Sequence, residues 1–238
     1  MRRMRHLKPR EIQGCQLALD ASIPTSLYDA TSGGSLVAAD GAVARWEDQS
    51  GNARHATQGT GSLRPLRKVA ISNGGDAISF DGVDDYLDHG ATAGSDTATL
   101  FVAGVRRATQ TDFRVLLTYG SSAPGSFINL RGATGAVGTY TTVEVSSTCT
   151  PANNTPITLS QTESSGLSWM QNGASAGSAA GNAANQPVAS VAAGKDSGVY
   201  MYHSQFDYFC AAIYSAALST YCLRRLHHAA MRKWRIAA

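Results

Sequence analysis

The feature that most narrows the fold is a series of short β-prone runs broken by Gly, Asn, Asp and Pro. Asp76 to Phe80, Thr97 to Arg106, Phe113 to Tyr119, Ser126 to Leu130, Val137 to Val145, Ile157 to Gln161, Leu167 to Gln171 and Val199 to Tyr214 have the branched and aromatic content of strands. This spacing indicates an all-β sandwich or barrel rather than βαβ repeats. Polar and apolar residues alternate in Phe127-Ile128-Asn129-Leu130-Arg131 and Tyr140-Thr141-Thr142-Val143-Glu144-Val145, so one face of each can be buried. The Ala/Gly/Ser/Asn-rich stretch from Gly173 to Gly198 is too poor in large apolar residues for a central strand; a surface loop with one weak edge strand is expected.

The chain ends differently. After Ser219, a predicted N-cap, apolar residues fall at Cys222, Leu223, Leu226, Ala230 and Trp234, the spacing of one helical face. Arg224, Arg225, His228, Arg232 and Arg235 take the remaining surface, so a basic amphipathic helix over 219–236 is predicted.

Charge is segregated behind a net of +3. Residues 1–10 carry Arg2, Arg3, Arg5, Lys8 and Arg10 with no acid; residues 208–238 carry five more basic groups and no acid; residues 11–207 hold 10 basic against 17 acidic groups, a net of −7. Two basic ends on an acidic body are expected to dock on an acidic partner, with Arg2, Arg3, Arg5, Lys8, Arg10, Arg224, Arg225 and Arg232 as the docking residues. Neither a basic-aromatic interleave nor a zinc-finger or RNP-type motif accompanies the charge, which argues against nucleic acid as the main partner. No apolar run approaches the roughly 20 residues that cross a bilayer, and none of signal-peptide length follows the basic start, so Sec export is not expected. Cys15, Cys149, Cys210 and Cys222 lack Cys-x-x-Cys spacing and are read as buried thiols.

Four pieces of sequence carry a resemblance. They are Trp46-Glu-Asp-Gln-Ser-Gly-Asn52 with its continuation to Gln58, Phe80-Asp-Gly-Val-Asp-Asp-Tyr-Leu87, Met170-Gln-Asn-Gly173, and Ala217-Leu-Ser219 leading into the terminal helix. Together they resemble a laminin-G-like domain of the concanavalin A-like lectin/glucanase superfamily, from about Leu17 to Ile236. The resemblance implies a jelly-roll sandwich of two antiparallel sheets with one C-terminal helix, organised as a basic arm over 1–16 and one domain over 17–238. It also implies a non-enzymatic adhesion or structural module of the kind found on phage particles and bacterial surfaces. The expectation is a capsid decoration or fibre protein, made in the cytoplasm, displayed on the virion surface and binding host or environmental glycans. Its partners would be other virion or capsid proteins and a second copy of the chain. The alternatives are a stand-alone bacterial lectin-like protein, held in the cytoplasm or reaching the cell surface by a non-Sec route, and, behind both, a glycoside hydrolase.

The hydrolase motif Glu-x-Asp-x-x-Glu aims three carboxyl groups into one cleft by strand alternation. The four glutamates here, at 11, 47, 144 and 163, do not fall in that spacing. Asp81, Asp84, Asp85 and Asp88 form the densest acidic cluster and are the candidate calcium ligands, set against ordinary turn chemistry at Asp81-Gly82. Asp48, Ser50 and Asn52 read as an Asx-type turn. Tyr119 and Tyr140, beside Gly-rich turns, are the candidate sugar-stacking aromatics, while Trp46, Trp169 and Trp234 are assigned to the core and His55 to a backbone carbonyl.

Overall fold

The computed structural model describes residues 9–91, 97–108, 113–119, 126–131, 134–140, 144–181, 189–196 and 199–237. Its strands in chain order are β1 Cys15–Asp20, β2 Leu27–Tyr28, β3 Arg45–Trp46, β4 Ala56–Thr57, β5 Leu66–Ser72, β6 Gly75–Asp81, β7 Leu87–Asp88, β8 Ala98–Arg106, β9 Arg114–Tyr119, β10 Ser126–Leu130, β11 Val137–Tyr140, β12 Glu144–Ser146, β13 Pro156–Glu163, β14 Gly166–Gln171, β15 Ala174–Ala180, β16 Ser190–Val191, β17 Gly194–Asp196, β18 Val199–Met201 and β19 Gln205–Tyr214. Helix α1, Thr220–Trp234, closes the chain.

Two antiparallel sheets form the sandwich. The first runs β15-β14-β13-β8-β19-β6-β5, and the second β12-β11-β10-β9-β16-β7-β4-β3-β2. Strand β19 lies at the centre of the first sheet because both its edges are used along its length. Arg106 to Thr99 of β8 pair one edge, while β6 takes residues 205 to 208 of the other and β1 takes 210 to 214. The register slips at Phe209, where one partner ends and the other begins. Gly104 sits at this crossing, and a Cβ there would stand 2.2 Å from the Asp207 carbonyl oxygen. Only glycine lets the two strands approach so closely.

Strand β8 is buried at every position. Alternation sends Leu100 and Val102 into the core between the sheets, beside Trp46, Trp169, Leu117 and Ile213. It sends Phe101, Ala103 and Val105 outward into a second cluster beneath α1, with Phe209, Leu226, Met231 and Trp234. The helix therefore caps the outer face of the first sheet. Ser219 is its N-cap, accepting the Cys222 N–H at 3.3 Å, and Arg235 ends it in a left-handed turn that returns the Ile236 N–H to Met231. His227 lies fully buried on this face. Its Nδ1 is 2.7 Å from Thr158 Oγ1 and its Nε2 is 2.9 Å from Ser160 Oγ. Asn172 Oδ1 already accepts from the Thr158 N–H and faces the Thr158 hydroxyl. The Thr158 hydroxyl therefore donates to Asn172, which leaves Nδ1–H of a neutral His227 to donate to Thr158 and Nε2 to accept from Ser160.

Three expectations change. The run from Val199 to Tyr214 is two strands, broken where Tyr202 takes a left-handed φ of 62°. The run from Val137 to Val145 is likewise two strands, with residues 141–143 outside the described residues. The small-residue stretch after Gly173 supplies the expected edge strand, β15, but its described residues also form the short strands β16 and β17. Asn172 (φ 49°) and Gly173 (φ 81°) make the tight hairpin turn that starts seven-residue β15, and Ser190 and Val191 are both buried, Ser190 paired with Asp88 and Val191 with Leu87 and Leu117. Alanine and serine form poor strands alone, but the open edge of β14 supplies the hydrogen bonds that β15 needs. All four cysteines are free, Cys149 and Cys210 buried and the other two half-buried. Among the described residues no helix is long and apolar enough to cross a membrane.

Candidate functional site

Where β6 leaves the first sheet and the chain crosses to β7 in the second, the turn Asp81 to Tyr86 brings three carboxylates together. Asp81, Asp84 and Asp85 each offer an oxygen within 4.8 Å of the others, about twice the 2.3–2.6 Å bond of a calcium ion to oxygen. The turn also uses these oxygens itself. Asp81 Oδ1 accepts the N–H groups of Val83 (2.8 Å) and Asp84 (3.3 Å), and Asp85 Oδ2 accepts the Asp81 N–H (3.1 Å). Asp85 is buried, and burial pushes its carboxyl up to about 6, opposed by the Asp81 N–H and reinforced by the charges of Asp81 and Asp84. A bound divalent cation would reverse that balance by favouring the ionised form.

Asp88 does not join them. On β7 its carboxylate accepts the Tyr200 hydroxyl, with Oδ1 and Oδ2 at 2.7 and 2.6 Å. The cost of burial, then this bond, raises the Tyr200 phenol. The Tyr200 ring stacks on Tyr86 at a centroid distance of 3.9 Å and an interplanar angle of 18°. Beneath them the buried His203 places Nδ1 3.1 Å from the Asp85 carbonyl, its ring 6.1 Å from that of Tyr86. Both tyrosines are half-exposed, and their chain neighbours Val199 and nearby Val83 are 61% and 72% exposed. An acidic turn thus adjoins an amphipathic aromatic pair held by a carboxylate. Stacked tyrosines of this kind can pack on an apolar sugar face while nearby oxygens accept from hydroxyl groups.

Sequence reading missed Tyr86 and Tyr200, which lie 114 positions apart; Tyr86 stood inside the Phe80–Leu87 block already noted. It placed Tyr119 wrongly: this residue ends β9 pointing into the core, 1% exposed, and cannot stack on a ligand. Alternation along β9, with Leu117 and Tyr119 on the inner face, decides this. The Tyr140 side chain and Arg2, Arg3, Arg5 and Lys8 lie outside the described residues. Arg10, Arg224, Arg225 and Arg232 are exposed, the first in a 3-10 turn over Pro9–Glu11 and the others on α1.

The Asp48 turn is structural. Asp48 Oδ1 accepts from Ser50 N–H (2.8 Å) and from Ala18 N–H on β1 (2.9 Å), tying the turn to the first sheet. His55 accepts the Asp48 N–H at Nδ1 (3.1 Å) rather than donating to a carbonyl. With the carboxylate of Asp48 already committed, the free donor of the turn is a backbone N–H, which requires a ring nitrogen as acceptor. Trp46, Trp169 and Trp234 are all buried. Gly173-Ala-Ser175-Ala-Gly177, a formal match to the Gly-x-Ser-x-Gly nucleophile motif, lies at a hairpin and edge strand, not at the strand-to-helix elbow that motif needs.

No protein-family model matches the chain, and no curated protein matches it. Solved structures do. An arabinofuranosidase complexed with arabinofuranosyl-alpha-1,2-xylobiose superposes with a TM-score of 0.64 at 14% identity, over 96% of this chain and 65% of that one. The binding domain of Paraclostridial Mosquitocidal Protein 1 gives 0.59 at 13%, over 92% and 52%, so this chain spans about half its length. Domain 4 of AbnA, an extracellular arabinanase from Geobacillus stearothermophilus in complex with arabinotriose, gives 0.58 at 13%, over 92% of this chain and all of that domain. At these identities the shared property is the fold, a sandwich of two antiparallel sheets.

Proposed function

We propose that this chain is a non-enzymatic, glycan-binding display module of the laminin-G-like kind, carried on the surface of a phage particle as a decoration or fibre protein. The observation that carries the binding part is the half-exposed Tyr86–Tyr200 stack, anchored by Asp88 and bordered by the acidic turn of Asp81, Asp84 and Asp85. Rigid aromatic faces beside acceptor oxygens suit a sugar, whose two faces are apolar and whose rim is hydroxyl. Similarity to a binding domain and to an arabinotriose-bound domain agrees with this reading. The non-enzymatic part is supported by the lack of a Glu-x-Asp-x-x-Glu strand and by the cavity beneath α1, whose lining holds one acid, Asp20, already paired with Lys233 at 2.5 Å. The virion part rests on the charge plan, with exposed arginines on α1 available to an acidic neighbour in an assembly.

A glycan array followed by calorimetry, with arabinotriose among the probes, tests the binding role. At least one glycan should bind with millimolar to micromolar Kd, and Tyr200→Ala should weaken it at least tenfold while the protein stays folded by circular dichroism. An array without a hit, or a Tyr200→Ala protein that binds as well as the parent, would refute the site. Immunogold imaging of particles from the native source tests the display role independently. Label on particles supports it, and label confined to cells favours a free-standing lectin-like protein instead.

A further inference from the structure

A second feature lies apart from the tyrosines, neither of which lines it. Between α1 and the outer face of the first sheet is a cavity of about 500 Å³. Phe101, Cys210, Leu226, Ala230 and Trp234 supply much of its wall, and all five are buried. Its charged lining is Arg10 from the first 3-10 turn, Asp20 from β1, and Arg232 and Lys233 from the last turn of α1. Asp20 is neutralised by Lys233, so the four groups leave two positive charges, those of Arg10 and Arg232. Both are exposed, and among the described residues neither has a hydrogen-bond or ion-pair partner.

An apolar hollow of this size falls within the range of small-ligand sites, roughly 300–1,000 Å³. Two guanidinium groups in the lining, from different elements and without a partner among the described residues, add a demand for negative charge, and a guanidinium fits a carboxylate in a forked, bidentate geometry. We propose that the cavity beneath α1 binds an amphipathic carboxylate, its aliphatic chain lying against Phe101, Leu226 and Trp234 and its head group between Arg10 and Arg232. A cationic or uncharged amphiphile would satisfy the wall but leave the two arginines unanswered. A sugar would leave the wall wet, so this ligand class differs from that of the tyrosine site.

Sodium dodecanoate, kept below its micelle concentration, is the probe, titrated calorimetrically into the full chain. Saturable one-to-one binding is expected. Dodecyl maltoside and dodecyltrimethylammonium should bind at least tenfold more weakly, and Arg10→Glu/Arg232→Glu should lose at least tenfold for dodecanoate. Ala229→Phe, placed at the half-exposed lining of the same wall, should abolish binding by filling the space. If that variant is destabilised, protection of Cys210 decides. Dodecanoate should slow its alkylation by N-ethylmaleimide, read by peptide mass spectrometry, without slowing that of Cys222. Absence of saturable binding, as follows if another part of the chain or a second copy takes the cavity, overturns the proposal. So does equal affinity for the three head groups, or unchanged alkylation of Cys210.

Discussion

The two apolar layers of this molecule are built from the same strands yet differ in character. Inward-facing residues of β8 and β19 meet the second sheet in a continuous core that includes Trp46, Trp169, Phe80 and Tyr208. Outward-facing residues of those strands meet a single helix, and there the seal is incomplete. A hollow remains beside Trp234, and the contact is pinned in part by the polar triad of His227, Thr158 and Ser160. A sheet covers a sheet over its whole width, whereas one helix of about 10 Å diameter covers only a stripe of it. The inner layer thus sets the fold, and the outer layer has room for a ligand.

The largest expected effect tests the inner layer. Trp169→Ala removes a side chain that is 1% exposed and whose Nε1 donates to Gln161 Oε1 at 2.8 Å. A loss of about 3–5 kcal/mol is expected in urea unfolding. A loss below ~1 kcal/mol would mean that this core is no better packed than the helix layer.

Acid should separate the layers next. Burial holds His89 down at about 4 and His227 down at about 3, so the folded chain keeps both neutral while the unfolded chain protonates them near 6.5. The unfolded state then binds more protons below pH 6.5, and the stability these groups contribute at neutral pH is lost as pH falls from about 6.5 towards 3. Each should contribute a slope of about 1.4 kcal/mol per pH unit, His89 between about 6.5 and 4 and His227 between about 6.5 and 3. His227→Gln should remove its share and leave that of His89, which accepts the Ala91 N–H at Nδ1 and faces the Thr118 carbonyl through Nε2. An unchanged slope in that variant would show that the helix layer is wet enough to admit a charged imidazole.

Smallest is the effect at the acidic turn. The raised carboxyl of Asp85 has the opposite sign: between its unfolded value near 3.8 and its folded value near 6, the native state binds more protons, so stability falls as pH rises through that window. Asp85→Asn keeps an acceptor for the Asp81 N–H and removes a buried charge. Its Tm should rise at pH 7 and stay level at pH 3.5. If calcium occupies the turn, millimolar calcium should raise the Tm of the parent and leave Asp85→Asn unmoved; equal shifts in both would exclude Asp85 as a ligand.

Patterns of local period were legible in the amino-acid order. The apolar run of β8 and the terminal helix α1 with its Ser219 cap follow from side-chain spacing, because each element repeats its own geometry every two or 3.6 residues, whereas β10, whose alternation pointed to one buried face, is buried at Phe127, Ile128, Asn129 and Leu130 alike. Two-residue strands such as β2, β3, β4 and β7 carry too little pattern to be read, since they exist only where a neighbouring edge offers hydrogen bonds. The tertiary structure alone decided which face of β9 holds Tyr119, and it parted Asp88 from the other three aspartates. It also stacked Tyr86 on Tyr200 and brought Arg10 and Arg232 to the lining of one hollow. Such meetings depend on how distant segments fold over one another, and spacing along a chain holds no record of distance across it.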